Sequence, residues 1–302
     1  MAAVAQGRMT GTDRAVAGRI AGSGRLRLRH GPIDVILDLS GEGAAVALAE
    51  AAVRNAFAGL LDRLVAELPL LRSEVGAASP DPEGPVARRM MAAVRPHAAR
   101  FITPMAAVAG SVADDLADLA WAAAPLSRVL VNNGGDIALR LGPGTRARVA
   151  VADLGQGGFP AHIDLTAADG IGGVATSGWR GRSHSLGIAD AVTILAADAA
   201  SADAAATMVA NAVDLPGSPA VTRASARALA PDSDLGDRLV TTGVATLTAA
   251  DRARALEAGL AVAGAMVAAG LIRGAFLCLQ GEMRVAGPFA AKAVPRLEGA
   301  RR

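Results

Sequence analysis

Short polar side chains cluster with glycine and alanine in several separate stretches of this chain. One of them, Asn132-Asn-Gly-Gly-Asp136, directly follows the β-branched run Val129–Val131. Its two glycines allow positive φ and the close approach of another group to the backbone. The pattern is typical of a hairpin turn and also of a turn that binds a ligand, with Asp136 offering a carboxylate, and the sequence leaves both interpretations open.

A second polar stretch combines backbone donors with basic side chains. Thr176-Ser-Gly178 is either a plain turn or a group of N–H donors that binds an anion. Trp179, Arg180 and Arg182 follow at once, and the two arginines are the basic groups nearest these stretches in the sequence. His184 stands between two serines, as either a surface residue or a ligand contact. The four histidines show no i, i+4 pair that would indicate zinc, and no P-loop or dinucleotide-binding fingerprint is present.

Composition narrows the class of protein. Of 302 residues, 52% are hydrophobic and 19% charged, which indicates a folded chain. Aromatic residues make up only 2%, so the stacking platforms of single-stranded nucleic-acid binders are lacking, and we expect no nucleic-acid partner. The single cysteine, Cys278, excludes an internal disulfide. Neither a signal-peptide pattern nor a comfortable membrane span is recognisable, so we expect a cytoplasmic protein.

The order of elements predicts an α+β fold with antiparallel sheets packed against long helices. We expect residues 1–24 to be loosely ordered, residues 25–290 to form the domain and residues 291–302 to form a tail. Predicted helices cover residues 44–68, 86–100, 104–123, 201–213, 221–229 and 248–269. Predicted strands cover residues 25–30, 33–39, 128–132, 137–141, 146–153, 162–166, 191–195, 239–247, 272–279 and 283–285.

The polar stretches occur in a characteristic order. The motifs are Pro104–Gly110, Val131–Ile137, Ala175–Gly178, His184–Thr193, Ser201–Thr207 and Asp232–Asp237. Over roughly residues 25–290 the chain thereby resembles the UPF0280 family. That family is similar in turn to the ApbE family of magnesium-dependent FAD:protein FMN transferases. Those enzymes split FAD and attach FMN to a threonine of an acceptor flavoprotein.

The resemblance implies a set of site residues. The nucleotide pocket would be lined by Asn132, Asn133, Gly134, Gly135, Asp136, Thr176, Ser177, Gly178, Arg180 and His184. Mg²⁺ would be held by Asp203 and Thr207, one helical turn apart, with a backbone carbonyl from Val108 or a neighbour. The alternative for this pair is that Asp203 stabilises its helix N-terminus and Thr207 bonds back to a carbonyl.

The chain also departs from the ApbE pattern. Ala109 stands where those enzymes carry lysine, the His-x-x-Asp-Pro-x-x-Gly segment is missing, and there is no tyrosine to pack on a flavin ring. Arg180 and Arg182 are candidates to replace the lysine. We therefore expect a protein that binds FAD, FMN or another phosphorylated small molecule with Mg²⁺, with weak or absent FMN transfer and no assigned catalytic residue. The alternatives are a non-catalytic accessory protein of a cofactor pathway and an enzyme acting on another phosphorylated ligand.

Overall fold

The computed structural model describes residues 14–153, 158–289 and 294–295. Its strands are β1 (Val16–Arg19), β2 (Leu26–His30), β3 (Ile33–Gly41), β4 (Leu126–Asn133), β5 (Asp136–Leu141), β6 (Arg146–Asp153), β7 (Gly158–Thr166), β8 (Gly173–Ser177), β9 (Ala191–Ala196), β10 (Val221–Ser225), β11 (Leu239–Val244), β12 (Gly274–Leu279), β13 (Glu282–Ala286) and β14 (Val294–Pro295). Its helices are α1 (Gly43–Phe57), α2 (Leu60–Ala66), α3 (Leu68–Leu71), α4 (Pro85–Val94), α5 (Val108–Ala123), α6 (Ala199–Ala212), α7 (Ala226–Leu229) and α8 (Ala249–Ala268).

A large antiparallel sheet organises the described part of the chain. Its nine strands run in the order β1-β2-β3-β4-β5-β8-β9-β12-β13. Two smaller sheets accompany it, β14-β7-β6 and the ribbon β10-β11. The pairs within all three sheets are antiparallel, as the alternating strand patterns predicted, and the α+β fold class is confirmed.

Helices cover one face of the large sheet and the β6–β7 sheet covers the other. Helix α5 packs on β4 and β5, α6 on β8 and β9, and α8 on β12. On the opposite face Leu139, Val149, Ile163, Leu195 and Phe276 share one apolar cluster. Alternate residues of the central strands therefore enter different cores, which explains their nearly continuous apolar sequences.

Several predicted boundaries need correction. The helix predicted over residues 44–68 is divided near Gly59 and at Glu67, because glycine weakens a helix and Pro69 lacks a backbone donor. Residues 221–225 are strand, since they pair with β11, and only α7 remains of the helix predicted there. Within the stretch expected to be loosely ordered, Val16–Arg19 pairs with β2, whereas residues 1–13 lie outside the described residues. In the predicted tail, Val294–Pro295 pairs with β7.

The helical run Gly43–Ala66 is, by length and composition alone, apolar enough to cross a membrane. Its side chains Val53, Phe57 and Leu64 are buried in the core. Only 28% of its most apolar window is buried, and length and composition alone do not assign the run to a membrane.

Candidate functional site

The first turns of α5 and α6 are in direct contact. A Cβ built on Gly110 would lie 2.2 Å from the carbonyl oxygen of Ala199, so only glycine fits at this crossing. The backbone N–H of Gly110 donates to Asp203 Oδ2 at 3.0 Å. In return, the backbone N–H of Ala200 donates to Asp114 Oδ2 at 2.9 Å. Each helix thus places a carboxylate on the other helix's N-terminal donors, which have no partner within their own helix.

Asp203 therefore does more than stabilise its own helix, the alternative left open by the sequence. The residue before α5 is Ala107, whose side chain cannot cap, and the N-terminus of α6 is capped by Asp198. Asp203 accepts hydrogen bonds from the backbone of both Ala109 and Gly110. Its position is consequently fixed by a second helix rather than by rotamer preference alone.

Asp136 is the second carboxylate at this place. It opens β5, and its Oδ1 accepts a hydrogen bond of 3.1 Å from the backbone N–H of Thr176 in β8. The direct pairing of β5 with β8 ends at Ile137 and Val174, so the Asp136 side chain joins the two strands just beyond their last pair.

The two carboxylates are close enough to affect each other's ionisation. Burial raises the pKa of Asp136 to about 7. Burial also raises the pKa of Asp203 well above its usual range, and the charge of Asp136 raises it further. Within the described residues no arginine or histidine forms an ion pair with either carboxylate. Two neighbouring carboxylates that share no cationic side chain favour a proton or a bound cation.

The Asn-Asn-Gly-Gly turn connects β4 to β5 as a hairpin, and it also contributes to this place. Asn133 is buried and donates from Nδ2 to the carbonyl oxygen of Ala109 at 3.1 Å. Asn132 Oδ1 accepts from the backbone N–H of Gly135 and closes the turn. Gly134 and Gly135 both have positive φ and are exposed. The hairpin and ligand-turn interpretations are therefore compatible.

The stretch after β8 divides into an anchored part and an exposed part. Thr176 and Ser177 end the strand, and a Cβ on Gly178 would lie 2.5 Å from the carbonyl oxygen of Asp190. Arg180 is exposed but paired: its Nε donates at 2.6 Å to Asp190 Oδ1 and its guanidinium stacks on Trp179. Arg182 and His184 are exposed. The structure thus does not present Arg180 as a free cation, although the sequence suggested it as one.

The donors fit Mg²⁺ and leave its coordination incomplete. Asp136 and Asp203 offer hard carboxylate oxygens, and the half-buried Thr207 stands one turn along α6 from Asp203. Val108 is the first residue of α5, next to the Ala109 and Gly110 backbone groups that Asp203 contacts. No group of three His, Cys, Asp or Glu side chains suited to a metal occurs in the part of the chain that the structure describes. A magnesium ion here would need water or substrate oxygens as its remaining ligands.

Comparison with known proteins decides the family. The family model described as AbpE bacteria matches residues 17–285, almost the whole described chain. The chain belongs to this family. UPF0280 proteins are also similar: that of Methanopyrus kandleri is 38% identical over 157 residues, covering 50% of this chain and 59% of the relative. That of Methanosphaerula palustris is 35% identical over 154 residues, covering 51% and 63%. These matches confirm the resemblance and span about three fifths of each curated relative.

Solved structures are similar to this AbpE-family chain at lower sequence identity. The ApbE protein of Thermotoga maritima is 13% identical, covers 92% of this chain and 99% of its own, and has a TM-score of 0.44. The flavinyl transferase ApbE of Pseudomonas stutzeri is 15% identical, covers 93% and 96%, and has a TM-score of 0.45. Membership of the family therefore rests on the sequence match.

Two residues important to this AbpE-family site, Asp114 and Asp190, were not identified from the sequence. Asp114 is fully buried and binds Arg140 as well as Ala200. Asp190 is nearly fully buried and holds the loop that follows β8. The sequence did offer a sign of each: Asp114 lies within an apolar helix, and Asp190 directly precedes a buried strand. A carboxylate in such a place is expected to be paired or hydrogen-bonded, because burying a free charge is costly.

Proposed function

We propose that this protein binds a flavin nucleotide, FAD or FMN, through its phosphates together with Mg²⁺. The observation that carries the proposal is the pair Asp136 and Asp203, two neighbouring half-buried carboxylates that form no ion pair with a cationic side chain within the described residues. The bound ion would neutralise the carboxylates and the nucleotide phosphates together. The names of the ApbE flavin transferases support the flavin as the ligand class.

Each residue has a distinct part in this proposal. Asp136 and Asp203 would ligate the ion, with Thr207 and a carbonyl near Val108 as further oxygen donors. Asn132, Asn133, Gly134 and Gly135 would form the rim over which the nucleotide lies, with Thr176, Ser177 and Gly178 on its other side. Asn133 and Asp114 would act indirectly: Asn133 joins the end of β4 to α5, and Asp114 joins α5 to α6.

Binding is favoured here over FMN transfer to an acceptor flavoprotein. Ala109 supplies no positive charge at the start of α5, beside the backbone groups that Asp203 contacts. A transferase must stabilise charge that develops on the leaving phosphate, and a preorganised cation is the usual means. An acceptor protein would therefore be labelled slowly or not at all, and a role as a binding or accessory protein follows.

Calorimetry with FAD and Mg²⁺ tests the proposal. Mg²⁺ and FAD should each tighten the other by the same factor, as linkage requires. Asp203→Asn and Asp136→Asn should remove this mutual effect. Asp118→Asn, which alters a partly exposed carboxylate on α5, should leave it unchanged. Wild-type protein that binds neither FAD nor FMN, with or without Mg²⁺, would overturn the proposal.

A further inference from the structure

The loop between β8 and β9 carries two arginines with different environments. Arg180 is held by buried Asp190 and by the ring of Trp179. Asp190 itself also accepts hydrogen bonds from Trp179 Nε1 and from the backbone N–H of Gln280. Arg180 therefore serves to fix the loop, since freeing it would leave a buried carboxylate without its counter-charge.

Arg182 lies at the exposed end of the same loop, against the glycine turn. Its Nη1 lies 3.1 Å from where a Cβ of Gly134 would stand; among the described residues other than Gly134 and its two chain neighbours, no further atom lies within 4 Å of that point. A Cβ on Gly135 would meet no atom of the described residues within 4 Å, so the turn next to the guanidinium is open on this side. Arg182 makes no ion pair within the described residues, so its five N–H donors remain available to a ligand in this space.

The positive charge of Arg182 acts on Asp34 of β3, but Asp34 does not neutralise it. The pKa of Asp34 on β3 is lowered chiefly by its hydrogen bond to Arg27, and the charges of Arg29 and Arg182 also lower it. Asp34 is engaged by Arg27 through both carboxylate oxygens, so it has little capacity left for Arg182. The guanidinium of Arg182 is therefore unpaired within the described residues. It lies beside the open turn at Gly134, which precedes Asp136 by two residues.

We infer that Arg182 is the phosphate-binding cation of this site and that it selects phosphorylated ligands over neutral ones. The inference rests on the proposed function, which it deepens by naming the residue that recognises the phosphate. A guanidinium matches phosphate geometry through two parallel N–H donors. The phosphates would extend across Gly134 and Gly135, from the cation at Asp136 and Asp203 to Arg182. A side chain on either glycine would narrow this path.

The test compares charged and neutral forms of one ligand. FAD, FMN, riboflavin and inorganic pyrophosphate are titrated with Mg²⁺ into wild type and the variants Arg182→Gln, Arg182→Lys and Arg29→Gln. Arg29 is the matched control, because it too is exposed and acts on Asp34 but does not lie at the turn. Arg182→Gln should weaken FAD, FMN and pyrophosphate about tenfold or more, which corresponds to one lost charge-assisted contact. Riboflavin affinity should stay unchanged, and Arg182→Lys should restore part of the loss.

The outcomes separate this inference from the proposed function. Equal weakening by Arg29→Gln and Arg182→Gln would show only a long-range field, and unchanged affinities in Arg182→Gln would exclude the contact. Either result overturns the inference while Mg²⁺-linked FAD binding still stands. If wild type binds pyrophosphate but no flavin, and Arg182→Gln loses pyrophosphate, the flavin proposal fails and the role of Arg182 is upheld. If wild type binds none of these anions, both are overturned.

Discussion

Asp114 and Asp203 cap each other's helices: Asp114 on α5 accepts from the first turn of α6, and Asp203 on α6 accepts from the first turn of α5. The contact that brings these helices together also places Asp203 next to Asp136, so the geometry of the proposed metal site depends on it. Helix packing and site formation are one structural feature here, and substitutions at the crossing should affect both.

Gly110→Ala tests the closeness of the two helices. The new methyl would overlap the carbonyl of Ala199, a backbone atom that cannot rotate away, so we expect a loss of about 3 kcal/mol in the free energy of unfolding. Gly264→Ala is the control, because Gly264 lies within α8 and a Cβ there meets nothing within 4 Å. That change should stabilise the protein by about 0.5–1 kcal/mol. Urea denaturation of both variants measures the contrast, and equal effects would refute the packing argument.

Asp114→Asn tests the charge at the crossing. Asp114 is fully buried and shares Arg140 with Asp118, whose side chain is 45% exposed. Removing the buried charge weakens the hold on Arg140 and on the Ala200 donor, at a cost of about 2 kcal/mol. The control Asp118→Asn should cost less than about 1 kcal/mol, since exposed ion pairs contribute little. Denaturant midpoints of the two variants decide this prediction, which fails if the Asp118 variant is the less stable one.

The architecture could be predicted from sequence wherever one face of an element sets its pattern. Strand β6 spans exactly the predicted residues 146–153, and α8 begins after Thr248, whose side chain accepts from the backbone N–H of Asp251 as predicted. The strand at 221–225 was assigned wrongly, because its pairing with β11 is a tertiary contact that overrides local helix propensity.

The candidate site, like the fold, could be predicted from the sequence only in part. Asp136 and Asp203 could be named in advance, because each stands out beside glycine or alanine in its own stretch. Their shared environment could not be predicted, because the hydrogen bonds that create it join residues far apart in the sequence. Gly110 and Asp203 are 93 positions apart, and Asp114 and Ala200 are 86 positions apart. The sequence also did not show that Arg180 is paired while Arg182 is not, because this depends on which of the two contacts buried Asp190 in the folded protein.

The stability of the metal-free protein should decrease between about pH 4 and pH 7. Burial raises the pKa of Asp136 to about 7 in the folded protein, whereas the unfolded value is 3.8. Within that interval the folded state holds a proton that the unfolded state has released, so the free energy of unfolding falls as pH rises and levels off above pH 7. Asp136→Asn should flatten this dependence. Urea midpoints at pH 5 and pH 8 in the presence of EDTA measure it, and parallel profiles for the two proteins would contradict the assignment.

Ala109→Lys tests why FMN transfer is expected to be weak. Ala109 is half-buried in the first turn of α5, and its backbone bonds both Asp203 and Asn133. An ammonium group introduced there should attract the phosphates of FAD and tighten FAD binding several-fold without Mg²⁺, since opposite charges at short range attract even near a protein surface. Transfer of FMN to a threonine-bearing acceptor should remain slow in wild type, and it should rise little in the variant, because one cation does not rebuild a preorganised transition-state site. Flavin fluorescence titration measures the affinity, and mass spectrometry of the acceptor measures transfer.

Ala109→Met is the matched control for side-chain length. Rapid labelling of the acceptor by wild type would show that transfer does not require a lysine at position 109.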